Sequence, residues 1–110
     1  MANETPLPKI KGPIEILEEN GMWPLDPTSA KGKSMDDPIL IEGVHFYVNM
    51  EYRVMNILFA GKKHELLIQS ICEKNGRKID VMLMKVANPD GTDEHTEQVC
   101  FDITEGFNSL

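Results

Sequence analysis

Between Leu66 and Val86 the apolar residues fall into two runs, Leu66 to Cys72 and Ile79 to Met84, with Asn75-Gly76 between them. Asn-Gly readily takes the two positive φ angles of a type I′ turn, so the stretch predicts a β-hairpin with a fixed register. Lys74 then faces Arg77, Glu73 faces Lys78, Cys72 faces Ile79, Ser70 faces Val81 and Ile68 faces Leu83. In this register Leu66, Ile68, Ser70 and Cys72 share a face with Ile79, Val81, Leu83 and Lys85, predicted to be the core side. The other face is mixed. It carries Gln69, Glu73, Lys78 and Asp80 near the turn, and Leu67, Ile71, Met82, Met84 and Val86 farther away. Each apolar side chain of this kind stabilises by about 1.5–3 kcal/mol when buried, so the mixed face also needs a cover.

The flanking pattern supplies the remaining elements. Residues 1–12 carry Pro6 and Pro8 among alternating polar positions and read as an extended or disordered lead-in. Pro13 suits a first helical position, Ile10, Ile14 and Leu17 recur at helical spacing, and Asn20-Gly21 supplies a left-handed stop, predicting a two-turn helix. A helix this short must dock to persist, and with Met22 and Trp23 it is a candidate cover for the mixed face. Residues 24–38 lack an apolar period and are rich in Pro, Gly, Ser, Thr and charge, which predicts a long irregular loop. Ile39 to Val44 reads as a strand after Pro38.

The next stretch fits both periods, since Phe46, Val48, Met50, Tyr52 and Val54 alternate while Val48, Tyr52, Met55 and Phe59 repeat helically. A helix over 49–60 is preferred, with Asn49 as cap, Gly61 at the stop, and Tyr52, Met55, Leu58 and Phe59 laid on the hairpin. Asn88-Pro89-Asp90-Gly91 marks a turn, and Val99, Phe101 and Ile103 alternate as a last strand before a fraying tail. The expected fold is α+β: a small, mostly antiparallel four-stranded sheet, one main helix packed on one face and a short N-terminal helix, in the order α-β-α-β-β-β. Residues 13–110 form one domain.

The 110 residues carry a formal net charge of −7, which opposes non-specific affinity for nucleic acid or anionic membrane and would steer in a basic protein. No basic-then-apolar segment opens the chain and no apolar run approaches the length of a membrane span, so the expected location is the cytoplasm. Cys72 and Cys100 cannot bridge if the strand over 79–86 lies between theirs.

Candidate chemistry is sparse. Lys31-Gly32-Lys33-Ser34 ends like a phosphate-binding loop, but Pro27 replaces the first glycine and neither the strand before nor the helix after is present. His45, His64 and His95 lack metal-ligand spacing, and Asp90, Asp93, Glu94 and Glu97 lack the order of a calcium loop. No metal or cofactor is expected. Ser70 and Cys72 point to the predicted core, while the face of Cys100 depends on a register the sequence does not fix; a hydrolase built from Cys100, His95 or His64 and Asp102 or Asp80 is conceivable but not indicated, and no catalytic residue is named.

Seven methionines are many for this length. Met82 and Met84 stand beside Leu67 and Ile71 on the mixed face, and clustered thioethers suit a partner-binding surface. The expected binding residues are therefore Trp23, Leu67, Met82 and Met84, with the chain's own N-terminal segment or a homodimer as alternative covers, the homodimer forming through that face or a sheet edge. The expected function is a non-enzymatic protein-binding or regulatory module, of the inhibitor or neutraliser kind. The alternative is a small enzyme with a composite pocket between the 49–60 helix, the sheet and the 24–38 loop, drawing on His45, His64, Asp36, Asp37 or Tyr52.

Overall fold

Asn75 and Gly76 take φ of 52° and 76°, the paired positive angles of the predicted turn. From that turn β2 (Lys63–Lys74) and β3 (Arg77–Ala87) run antiparallel in the expected register, from Lys74 opposite Arg77 to Ile68 opposite Leu83. Beyond Ile68 the pattern shifts by one residue: Leu66 pairs with Met84, leaving Leu67 as the extra residue of a β-bulge. The computed structural model describes residues 10–108. The lead-in expected over 1–12 therefore falls mostly on residues 1–9, outside the described residues.

The other elements are α1 (Pro13–Glu19), β1 (Ile39–Leu40), α2 (Tyr47–Leu58), β4 (His95–Asp102) and α3 (Thr104–Asn108). The four strands form one sheet in the order β1-β4-β3-β2, antiparallel except for the parallel β1–β4 pair. The fold is α+β, as the pattern predicts, with α2 the main helix. No helix among the described residues is long and apolar enough to cross a membrane.

The structure reverses the predicted faces of the hairpin. Val99 pairs with Met82 and Phe101 with Asp80, so the apolar residues of β4 stand on the side of Met82, Met84 and Val86, all of them buried. On that side α2 brings down Met50, Val54 and Met55, and α1 brings Ile16 and Leu17. On the opposite side Ile68 is 60% exposed, while Val81 and Leu83 are half-buried. Both faces of β3 are apolar enough to be core. The adjoining strand decides between them, because its pairing places Val99 and Phe101 on the Met82 side, in one buried cluster with α1 and α2.

Three further departures have local causes. α2 starts at Tyr47, ahead of the predicted Asn49, with Phe46 in extended backbone and no side-chain cap. Packing of Met50 and Glu51 against the sheet prevails over the capping preference, and Tyr52 of the predicted stripe stays exposed. β1 is only two residues long. The predicted fraying tail instead forms α3, because the Asp102 carboxylate accepts from the Thr104 amide and hydroxyl, and the Thr104 hydroxyl in turn accepts from the Lys78 amide. Arg77 donates to the other Asp102 oxygen at 2.9 Å.

Candidate recognition surface

β2 is an edge strand of 12 residues, and α2 and α1 sit over the other strands. Among the described residues Leu66 packs against the core, while Leu67, Ile68 and Ile71 are left uncovered across its two faces. Leu67 is 44% exposed and Ile71 48% exposed, and Ile68 projects from the outer face. A long, exposed, apolar edge is a template for another strand, since its outward N–H and C=O groups have no ladder partner. The side of α2 nearest β2 is marked by His64, whose ring bonds Asn56 at 3.1 Å and lies 5.5 Å from the Phe59 ring. Tyr52 and Val48, one and two turns before Asn56 along that side, are also exposed.

The sequence-predicted binding residues divide. Trp23, in the loop after α1, and Leu67, at the bulge of β2, are exposed. Met82 and Met84 are 0% and 2% exposed, sealed beneath α2, and cannot meet a partner in this fold. The chain covers this face itself: Met50, Val54 and Met55 of α2 share one buried cluster with Met82 and Met84, joined by Ile16 and Leu17 of α1 and by Met22. Ile68 and Ile71 are the surface residues the sequence reading missed. The signal was an edge strand with apolar residues on both faces, legible only once the strand order is known.

A cleft of about 130 Å³ lies where the 24–38 loop meets the end of α2 and the sheet, with Leu58, Phe59 and Val99 among its walls. None of His45, His64, Asp36, Asp37 or Tyr52 lines it. Asp37 is held by Lys31 at 2.9 Å and Asp36 by Lys74, while His64 bonds Asn56. Of the ionisable side chains that line the cleft, Asp26 accepts from Thr28, Glu97 bonds His95 and Lys31 pairs with Asp37. The Thr28 hydroxyl and amide hold the Asp26 carboxyl below its ordinary range. The Gly32 carbonyl, central to the phosphate-loop resemblance, accepts from the Cys100 amide, so the loop is docked on the edge of β4.

A second cluster lies inside the core. Glu51 of α2 and Asp80 of β3 are both 0% exposed and close enough to hydrogen-bond once one carboxyl keeps its proton. The Gln69 amide donates to both Asp80 oxygens, at 2.8 and 3.1 Å. Burial, then the bond to Asp80 and its charge, push Glu51 up to about 10. Glu51 is thus a neutral acid at ordinary pH, able to donate a hydrogen bond to Asp80. A buried acid beside a second carboxyl resembles an acid–base pair, but no substrate atom can reach groups with no exposed surface. Among the described residues, no three His, Cys, Asp or Glu side chains group to hold a metal ion.

No family model, curated protein or solved structure matches this chain.

Proposed function

We propose that the chain is a non-enzymatic protein-binding module, with a regulatory role, that takes a partner's strand along β2. One observation carries this reading: a 12-residue edge strand with Leu67, Ile68 and Ile71 exposed and, among the described residues, no strand paired to its outer flank. Stable monomers blunt such edges with charge, proline or a covering loop. In β2 the charges Lys63, Glu65, Glu73 and Lys74 stand only at the two ends, and the middle is bare. Glu51 and Asp80 are closed in the core, and none of His45, His64, Asp36, Asp37 or Tyr52 lines the cleft, which favours recognition over the enzyme alternative.

A photo-crosslinking residue at Leu67, used in native cell extract, tests this. A discrete protein adduct is expected there and not from the same group placed at Glu18 on α1. No adduct at Leu67 beyond the Glu18 background overturns the reading.

A further inference from the structure

The uncovered part of β2 is symmetric about one residue. Leu67 and Ile71 stand two places before and two places after Gln69. By alternation from outward-facing Ile68, all three lie on the α2 side of the sheet. Counted from the Lys74–Arg77 pair that closes the turn, residues 73, 71 and 69 aim their N–H and C=O groups away from β3.

We infer that this flank pairs with β2 of a second copy, antiparallel, about a two-fold axis through Gln69. The inference rests on the strand-accepting reading above and names its occupant. An isologous contact requires a surface complementary to itself, and this strand meets that condition. Gln69 faces Gln69 of the second copy, and Leu67 faces Ile71 on either side, so four exposed apolar side chains become two contacts across the seam. The bulge continues the match. Leu66 and Leu67 together oppose Ile71, as they oppose Met84 within the chain. Glu65 then faces Cys72, and His64 faces Glu73, an imidazole against a carboxylate. Lys63 against Lys74 ends the ladder with like charge.

Charge also selects this stretch. Two copies of a chain carrying −7 repel as wholes, so close approach requires a neutral strip. In β2, Lys63 and Lys74 balance Glu65 and Glu73. Both glutamates already have a lysine on β3, Glu65 with Lys85 at 3.3 Å and Glu73 with Lys78 at 2.8 Å. Neither enters the seam as a bare charge.

The test uses the full chain. Sizing by sedimentation from micromolar to near-millimolar concentration is expected to show a monomer giving way to a dimer. Exchange of the amides of Gln69, Ile71 and Glu73 is expected to slow about tenfold or more over that range. In a Cys72→Ser background, Gln69→Cys is expected to cross-link copies on oxidation while Glu73→Cys does not, since only position 69 meets itself within about 7 Å. Because Gln69→Cys loses the bond to Asp80, a Leu67→Cys/Ile71→Cys chain in the same background gives an independent read of the register. A monomer at every concentration, with these amides protected only when native extract is added, overturns the second copy and leaves the strand-accepting reading standing. A monomer whose amides exchange freely in both conditions overturns both. A dimer that cross-links through Glu73→Cys alone overturns the two-fold arrangement.

Discussion

Glu51 of α2 and Asp80 of β3 lie side by side in the core with no exposed surface, and burial, with Asp80 beside it, favours the protonated form of Glu51. Among the described residues no donor reaches either Glu51 oxygen, so an ionised Glu51 would leave two buried carboxylates facing one another. Protonated, it becomes the donor and Asp80 the acceptor, with Gln69 donating from the other side. Tyr47 stands close enough that burial, with the Glu51 and Asp80 charges behind it, raises its phenol.

Stability should therefore decline with alkalinity. Glu51 sits near 4.5 when exposed and is pushed up to about 10 in the fold, so the folded state holds a proton that the unfolded chain has released. Its contribution is full below the exposed value and is lost as pH rises toward the folded value, by at most about 1.4 kcal/mol per pH unit. Glu51→Gln keeps a donor for Asp80 and removes the titration. Urea unfolding between about pH 5 and about pH 9 should show the wild-type chain losing stability relative to the variant. Parallel curves would mean that Glu51 is ionised in the fold.

The reversed hairpin faces give opposite expectations for neighbouring residues. Met84→Ala opens a cavity beneath α2 and should cost about 2–5 kcal/mol. Ile68→Ala, on the outer face, should change stability by about 0.5 kcal/mol or less. Denaturant midpoints measure both, and equal losses would place Ile68 in the core after all.

Asn20 reaches across 20 residues to serve β1. Its amide oxygen accepts from the Leu40 N–H at 2.8 Å, and its amide nitrogen donates to the Leu40 carbonyl at 3.0 Å and to the Ile16 carbonyl at 2.7 Å. Asn20→Ala leaves these half-buried groups to water and should cost about 1–3 kcal/mol. Thermal unfolding of the variant checks this, and an unchanged transition would show the bonds to be dispensable.

The two thiols should react in a fixed order. Cys100 is fully buried, and that burial raises its thiol, while Cys72 is only half-buried. Iodoacetamide on the native chain should label Cys72 well before Cys100, with both labelled in urea. Peptide mass mapping reads the order, and early labelling of Cys100 would mean that β4 opens locally.

The turn was the most legible feature in the sequence, because Asn75-Gly76 sets local backbone angles that need no tertiary support. It gave the register as far as Ile68, and the helix after Pro13 followed from equally local signals. The core side could not be read this way: Met82 and Leu83 are equally apolar neighbours, and the choice between them was made by β4. Asn20 read correctly as the end of α1, but its bonds to Leu40 join residues whose proximity only the fold creates. The binding surface was half visible for the same reason, since Leu67 is bare and Met82 covered by virtue of where α2 comes down.

The side-chain amide of Asn20 occupies the outward backbone groups of Leu40, which plugs the flank of the sheet opposite β2. A fibre needs two accepting flanks per molecule, one to add to and one to be added by. With one flank stoppered, strand addition ends after a single event, and the bare edge that invites association cannot seed open-ended growth.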